Sequence, residues 1–360
     1  MSWRCELDGQ VLFDTSLLQY GISAGQVNLR LDGADAAQFT LPYDHPGQAL
    51  LQGGAQRLDI LRGDDIVFCG RPRQTELDVY GNMTVTAQGM LALLDDIDMT
   101  VQAGSWTRSA AAVDSMLAVC AQACGGAFPL QRGQVDALSG AACSVGAGSM
   151  TVLQLLDTLA ETLGGHYFVR CEGDALYLDW LDEQSLPLCA QRVCAGENLL
   201  QLSYAVTAPD MTVLYPTAKD ASGNVITIAP VNPGGLSVLK NDEAAARHGI
   251  RRRQLDFGTL DSAQALYLTA KAYFERESAD SVSVEAQAVD LTQAVGLTQA
   301  VGLTQAGYDT QPFRVGQRVR ITAPRLGIDV TAPITAQRID LCDASKNRIT
   351  AGAVRAAITR

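Results

Sequence analysis

Three histidines and nine cysteines are among the side chains of this chain of 360 residues that could serve as a catalytic base, a nucleophile or a metal ligand. His45 stands between Asp44 and Pro46, His166 opens a predicted strand, and His248 precedes a glycine. None lies in an HExxH pattern or near a second ligand at metal-binding spacing. A cysteine nucleophile would need one of these histidines as its base, and no local signature pairs them. The sequence therefore predicts no catalytic, metal-binding or cofactor-binding residue.

The cysteines indicate a cellular compartment rather than a reaction. Their number is odd, no pair has CxxC spacing, and several occupy apolar periodic positions, so we expect free buried thiols in a reducing cytosol. The amino-terminal residues MSWRCELDG do not resemble a signal peptide, and no apolar run approaches the length of a membrane span. We therefore expect a chain that folds in a cytoplasm. The nine are Cys5, Cys69, Cys120, Cys124, Cys143, Cys171, Cys189, Cys194 and Cys342.

A glycine-rich segment and three acid pairs are weaker candidates for a site. Gly146–Ser149 has the sequence GAGS before a predicted helix, but it lacks a GKS or GxGxxG frame, so we interpret it as a turn. The acid pairs stand at strand or loop ends, where solvated carboxylates are more common than the carboxylate pair of a glycosidase. The pairs are Asp64-Asp65, Asp95-Asp96 and Asp182-Glu183.

One basic run and two tyrosines could contact a partner. Arg251-Arg252-Arg253 could touch DNA in a passage or an acidic face of a neighbouring subunit. More often such a run is a solvated strand edge or a ring of salt bridges between subunits, and we favour the ring of salt bridges. Tyr43 and Tyr215 could form a platform for sugar stacking, although packing in the core and in turns explains them more simply.

Length and composition describe a folded, acidic protein. Charged residues make up 18% of the chain and hydrophobic residues 47%, which excludes a solvated tail, and the length suffices for about two to four domains. The net charge of −12 argues against a protein that scans nucleic acid, because it supplies no broad basic face for phosphates. An acidic surface could still line a passage through which DNA slides without binding.

The elements that would position these residues are mainly strands. From Ala55 to Gly89, apolar and polar residues alternate around two tight turns, which predicts an antiparallel meander whose buried face includes Leu77 and Val79. A similar phrase returns from residue 316 to residue 352, which predicts one small β-barrel used twice. Two unrelated meanders that share alternation are the alternative. Gln56-Arg57 aligns with Gln317-Arg318, Leu58 and Ile60 with Val319 and Ile321, Leu77 and Val79 with Ile339 and Leu341, and residues 83–89 with 348–352.

Helical segments interrupt the strands. Thr151 and Gln154 form a capping-box pattern before a leucine stripe, and a later helix is predicted behind an Asp261 cap. The repeat LTQAVG LTQAVG LTQAGY, from Leu291, predicts an extended loop or hairpin. The predicted division is a first β-barrel at 1–100, an α+β domain of two helices and a hairpin at 101–185, the first part of a second β-barrel at 186–240, a helical and strand insert at 241–290, a repeat-containing loop at 291–312, and the remainder of the second β-barrel at 313–360.

Five segments, in their order along nearly the whole chain, carry a resemblance to a known family. They are QFTLPYDHP (38–46), VFCGRPRQTELDVYGNMTVTAQGMLALLDD (67–96), LLDTLAETLGGHYFVRCEGDALYLDWL (155–181), ENLLQLSYAVTAPDMTVLYPTAKDASG (197–223) and FRVGQRVRITAPRLGIDVTAPITAQRIDL (313–341). Together they resemble the amino-terminal hub region of the phage tail-associated lysin, or prophage endopeptidase tail, family. That family is similar in fold to the hub protein of contractile-phage baseplates.

This resemblance implies an α+β, mainly β fold with two similar small antiparallel β-barrel domains and α+β and helical inserts, as in phage baseplate hubs. It implies a homotrimer whose six barrels present a pseudo-sixfold surface to a sixfold tail ring or tube. The expected location is the virion tail tip, assembled in the bacterial host cytoplasm, with a role in host attachment and DNA ejection. Expected partners are a distal tail or tail tube protein, a tape-measure protein, receptor-binding or fibre proteins, and passing DNA that is not bound specifically.

The resemblance has two departures and leaves three alternatives open. Many relatives continue into a long enzyme or fibre region, whereas this chain ends at Arg360, and the hexapeptide repeat is additional. We expect a structural hub and not an enzyme. The alternatives are the hub of a contractile tail or bacteriocin particle, a peptidoglycan endopeptidase of the tail, and a surface adhesin.

Overall fold

The amino-terminal residues form short antiparallel strands because apolar side chains alternate with polar ones along them. The structure is a computed structural model that describes residues 2–53, 57–126, 128–288 and 312–352. Asp8 and Gly9 have φ of 49° and 78°, as a two-residue hairpin turn between twisted strands requires. The strands are β1 (Trp3–Leu7), β2 (Gln10–Asp14), β3 (Ala24–Arg30), β4 (Ala36–Leu41), β5 (Leu58–Arg62), β6 (Asp65–Leu77) and β7 (Met83–Gly89).

The next segment has two helices, and the second begins at the predicted capping box. Ser109 accepts a hydrogen bond from the Ala112 amide, and Thr151 with Gln154 forms a complete capping box. The leucine stripe of the second helix is buried in the core of this domain. The elements are β8 (Asp98–Val101), β9 (Gly104–Trp106), α1 (Ala110–Ala123), β10 (Leu130–Val135), β11 (Cys143–Val145), β12 (Gly148–Thr151), α2 (Val152–Leu163), β13 (His166–Glu172) and β14 (Ala175–Leu181).

The described part of the remainder, 186–288 and 312–352, alternates between strands and two further helices. Ser262, and not the predicted Asp261, caps the last helix, because its hydroxyl accepts a hydrogen bond from the Ala265 amide. The LTQAVG repeat from Leu291 lies outside the described residues. The elements are β15 (Val193–Cys194), β16 (Leu199–Thr207), β17 (Val213–Lys219), β18 (Val225–Thr227), β19 (Leu239–Lys240), α3 (Asp242–His248), β20 (Arg252–Thr259), α4 (Ala263–Glu277), β21 (Ser281–Ala288), β22 (Arg318–Ala323), β23 (Ile328–Asp340) and β24 (Arg348–Gly352).

One large sheet of thirteen strands dominates the described residues. Its main path is β16-β21-β24-β23-β3-β4-β7-β6-β5-β1-β2, with β22 beside β23 and β15 beside β22. The order β3-β4-β7-β6-β5 repeats as β16-β21-β24-β23-β22, and every neighbouring pair in both series is antiparallel. We name β1–β7 module 1, and β15, β16 and β21–β24 module 2. The predicted mainly β fold with two similar modules is confirmed.

The insert between β16 and β21 has its own sheet and core. β17, β18, β19 and β20 form a separate four-stranded sheet, and Leu214 and Ala218 of β17 pack against Leu266 and Phe274 of α4. The sequence prediction placed all of 186–240 in the second β-barrel, and this is wrong for β17–β19. Alternation at a period of two shows that a segment is a strand, but it does not identify the sheet that the strand joins. Within the described residues, no helix combines the length and apolar character needed to span a bilayer.

Candidate assembly surface

The histidines lie in different elements and perform structural tasks. His45 is buried, and its Nδ1 accepts a hydrogen bond from the Gly47 amide at 3.0 Å. Burial lowers the pKa of His45, which favours the neutral ring. His248, at the end of α3, lies 2.7 Å from Asp280 in the connection between α4 and β21. Within the described ranges, no group of three or more His, Cys, Asp or Glu side chains could hold a metal ion.

His166 and Tyr167 attach the α+β domain to module 1. His166 Nδ1 lies 2.6 Å from Asp32 Oδ2, and the Tyr167 amide donates a hydrogen bond to Asp32 Oδ1 at 2.8 Å. The Tyr167 hydroxyl donates to the Asp32 carbonyl oxygen at 3.1 Å. Burial alone would lower the pKa of His166, but the hydrogen bond and negative charge of Asp32 outweigh it and raise the pKa. The protonated imidazole therefore strengthens the attachment.

We predict that this attachment weakens as the pH rises. A histidine with a raised pKa in the folded chain contributes stability below its ordinary pKa of about 6.5, and this contribution is lost as the pH rises through the raised value. The urea midpoint of unfolding, followed by tryptophan fluorescence, should fall over that range and fall less in His166→Gln. Burial also raises the pKa of Asp35 to about 7, which acts in the same direction, so the informative quantity is the difference in slope between wild type and variant. Equal slopes would contradict the prediction.

The cysteines of the core are poor nucleophiles. All nine lie within the described residues and form no disulfide. Burial raises the pKa of Cys120 to about 11, and burial also raises the pKa of Cys5 and Cys143, so these groups remain thiols at neutral pH. Cys124 and Cys342 are exposed, which differs from the expectation of buried thiols.

Each acid pair contributes a partner for an arginine of another element. This is a structural use of the carboxylates, and the three pairs do not converge on one site. The ion pairs are Asp96 with Arg71, Asp182 with Arg108 at 2.7 Å, and Asp65 with Arg314 at 3.0 Å.

The other sequence candidates are also scattered. Gly146–Ser149 spans the connection between β11 and β12. The run from Arg251 to Arg253 leads into β20, and the Arg251 guanidinium donates to the Pro209 carbonyl oxygen at 2.7 Å. Tyr43 is exposed and lies over Gly81, whereas Tyr215 lies on β17 of the insert. Tyr43 thus lies in the turn after β4 and Tyr215 in the sheet of the insert, so the two form no common platform.

The two modules join through the antiparallel pair of β3 with β23. Val27 stands opposite Ile339, and Leu29 stands opposite Gln337. Beyond the pair, the Leu341 amide donates to the Gly25 carbonyl oxygen at 2.9 Å, which extends the ladder at one end. The Leu31 amide donates to the Thr335 carbonyl oxygen at 2.8 Å and extends it at the other end. A continuous run of backbone hydrogen bonds thus joins the modules.

Side chains of module 2 complete the core of module 1. Ile339 and Leu341 are buried among residues of β1–β7, including Val27 and Phe39. Neither contributes to the core of module 2, which is formed by residues such as Ile334. Module 2 therefore supplies two of the apolar side chains that form the core of module 1.

Matching rows across the sheet identify equivalent residues in the two modules. β6 and β23 each contain thirteen residues, and the pairing of each with its next strand has a bulge after Pro72 or Ile334. A row here is a set of residues that stand opposite one another on successive strands. The row of Pro72 contains Ala87, Ala37 and Val27, and the row of Ile334 contains Ala351, Val284 and Tyr204. Counting along the strands from these rows makes Tyr204 equivalent to Val27, Val206 to Leu29, Leu77 to Ile339 and Val79 to Leu341, the last two as in the sequence alignment.

Equivalent apolar residues differ in their exposure. Leu77 is 65% exposed and Val79 93%, whereas Ile339 is 1% and Leu341 5% exposed. The expectation that Leu77 and Val79 lie on a buried face is therefore wrong for the single chain. In the described residues, β5 covers only Asp65–Gly70 of β6, and no strand covers the rest of that side, where β3 would lie in the equivalent position.

The edge strand of module 2 shows the same difference. Tyr204 and Val206 of β16 are 40% and 54% exposed, although their equivalents in β3 are buried. In the described residues, β16 pairs with β21 alone among the strands, and its outer edge is unpaired apart from an isolated bridge of Leu199 with Ala195. The sequence reasoning identified this strand but did not single out these residues. Mapping the repeat onto the strand pairs reveals them. We name the outer edge of β16 and the uncovered part of β6, Gln74–Leu77, the two open edges.

A groove of about 500 Å³ lies beside the junction, along β3, β23, β24, β21 and β16. It is lined by three arginines, Arg30, Arg338 and Arg348, by amide and hydroxyl side chains, and by four apolar residues, Leu29, Ala286, Ala336 and Ile349. Arg338 donates to the Gln26 side-chain oxygen at 2.7 Å. None of the described residues that line the groove is acidic, so the acidic lining considered from the net charge is not found here.

Three solved structures are similar to this chain over nearly its whole length. The tail protein of Neisseria meningitidis MC58 has a TM-score of 0.62 at 15% identity, covering 98% of this chain and 96% of its own. The prophage tail protein gp18 of Listeria monocytogenes EGD-e has a TM-score of 0.57 at 12% identity, and the match covers 99% of this chain and 95% of gp18. The 43 kDa tail protein of prophage MuSo2 from Shewanella oneidensis has a TM-score of 0.58 at 11% identity, and the match covers 98% of each chain. No protein-family model and no curated protein matches the sequence. The chain therefore has the fold of phage and prophage tail proteins.

Proposed function

We propose that the chain is a structural component of a phage or prophage tail and forms a homotrimeric hub at the tail tip. The likeness in fold to three tail proteins supports the tail role. The single observation that carries the hub role is the repeated strand order within one chain. Three chains with two similar modules each supply six similar units, so a threefold ring can bind a sixfold distal tail ring or tube.

In this proposal the ring surrounds the passage for DNA and for the tape-measure protein. The groove with Arg30, Arg338 and Arg348 is the best candidate for its wall, because it carries three basic side chains and is continuous across both modules. Three arginines among neutral side chains give weak, salt-screened contacts with a phosphate backbone and no set of groups for reading bases. DNA would therefore pass without specific binding. Receptor-binding or fibre proteins would bind the side of the ring that faces away from the tube.

The test of this function is the mass of the purified protein in solution. Native mass spectrometry should give a complex of three 38.2 kDa chains. A strict monomer at the highest soluble concentration would contradict the hub and favour an adhesin. Zymography on bacterial cell walls should give no clearing zone, and a zone that disappears when His45, His166 or His248 is replaced would contradict the structural role.

A further inference from the structure

The two open edges are complementary in kind. Each presents backbone N–H and C=O groups without a strand partner in the described residues, and each carries apolar side chains in water. Such edges pair with other chains unless charge, proline or a bulge blocks them. β16, with the sequence LLQLSYAVT, contains no charged residue and no proline. The edge of module 2 is therefore competent for strand addition.

The chain already contains the junction that these edges would form. β3, the equivalent of β16, pairs with the second half of β23, which is the equivalent of Gln74–Leu77. β22 pairs with the first half of β23 as β5 pairs with the first half of β6. Within the described residues, β6 therefore lacks one neighbour that β23 has, the strand equivalent to β3. β16 is the equivalent of β3 in module 2, and its outer edge is free to pair with β6.

The turn after each long strand presents its apolar residue in the same way. Asp78 Oδ1 accepts a hydrogen bond from the Tyr80 amide at 2.8 Å, and Asp340 Oδ1 accepts one from the Cys342 amide at 2.9 Å. The residue enclosed by each turn is Val79 in module 1 and Leu341 in module 2. Leu341 lies in the core of the neighbouring module, whereas Val79 projects into solvent. The local geometry is thus built for insertion at both sites, and only one is occupied.

We propose that β16 of one copy pairs antiparallel with Gln74–Leu77 of β6 in a second copy. The register is that of the junction within the chain, so Tyr204 stands opposite Leu77 and Val206 opposite Thr75. Val79 enters the open side of the module 2 core, as Leu341 enters that of module 1. The side chains in this register are compatible, since an aromatic residue meets an aliphatic one and Glu76 stands opposite Ala205, with no like charges paired.

This pairing makes a head-to-tail assembly. Each copy offers a β16 edge to one neighbour and a β6 edge to the other, so the contact is heterologous and produces a ring when the rotation closes. Along such a ring, junctions within chains alternate with equivalent junctions between chains. This interface specifies how the copies of the proposed hub contact one another. It rests on the proposed function only for the number of copies, which is three.

The test is a disulfide trap at Glu76 and Ala205, which stand opposite each other in the proposed register. The variant Glu76→Cys with Ala205→Cys retains the apolar residues of both edges. Exposed Cys124 and Cys342 are replaced by serine in every variant to remove background cross-links. The matched control is Thr75→Cys with Ala205→Cys, because neighbouring residues of a strand point to opposite faces. Mild oxidation should link most of the trap variant between copies and little of the control.

The outcomes separate the interface from the proposed function. Selective linkage with a closed complex of three chains supports both proposals. Selective linkage in a complex of another size supports the strand pairing and overturns the trimer. A complex of three chains without linkage, or with equal linkage in the control, overturns the pairing and retains the trimer. A monomer without linkage overturns both.

Discussion

Replacing Ile339 by alanine is expected to lower the free energy of unfolding by about 2–5 kcal/mol, the usual cost of truncating a fully buried aliphatic side chain. Ile339 belongs to module 2 but is buried in the core of module 1, so the cavity opens between the modules. The equivalent change, Leu77→Ala, should alter the unfolding free energy of the dissociated chain by no more than about 0.5 kcal/mol, because Leu77 is exposed there. Urea unfolding at low protein concentration measures both.

The comparison depends on the equivalence of the two positions. They have the same place in matching strands, so the register is held constant while burial differs. If both variants lost stability equally in the monomer, Leu77 would already be buried within one chain and the β6 edge would not be open. If neither lost stability, Ile339 would not join the modules.

Replacing Leu77 by aspartate is expected to abolish ring assembly while the chain still folds. In the proposed interface Leu77 becomes buried opposite Tyr204, which stabilises the contact by about 2 kcal/mol for a leucine. A carboxylate there would lose this contribution and would also have to give up its hydration without a partner, so each contact should weaken by at least about 3 kcal/mol, or roughly 100-fold in Kd. Sedimentation velocity should show monomers, with the far-ultraviolet circular dichroism of the wild type.

A matched control tests whether the effect depends on location. Leu326 is also an exposed leucine, but it lies in the turn between β22 and β23 and away from both open edges. Leu326→Asp should leave the oligomer intact, and Tyr204→Asp should dissociate it as Leu77→Asp does. An intact ring in Leu77→Asp, or dissociation in Leu326→Asp, would show that the contact between copies lies elsewhere.

The local features of the fold could be predicted from the sequence because their causes are local. The capping box of Thr151 and Gln154 brings together residues three positions apart, and the alternation around Leu58 and Val85 defines strands with one buried face. The alignment of Leu77 with Ile339 also agrees with the strand registers, because the bulge and the aspartate of the following turn are six residues apart in both repeats, from Pro72 to Asp78 and from Ile334 to Asp340.

Features that depend on distant partners were not predictable in this way. Apolar and polar residues alternate in β17 as they do in a barrel strand, yet β17 pairs with β20 and packs beneath α4. Tertiary contacts determine which sheet such a strand joins. Alternation places Leu77 and Val79 on an apolar face but does not show whether the covering strand belongs to the same chain. Identifying the open edges therefore required knowledge of the strand pairs, whereas the sequence repeat alone indicated which strands to compare.

The most direct test of the account is an image of the assembled protein by electron microscopy with averaging. We expect a closed ring of six similar lobes with threefold symmetry, in which β16 of each chain lies beside β6 of the next and the grooves with Arg30, Arg338 and Arg348 face the opening. A ring in which modules of one kind contact only their own kind, or a ring without six lobes, would contradict it.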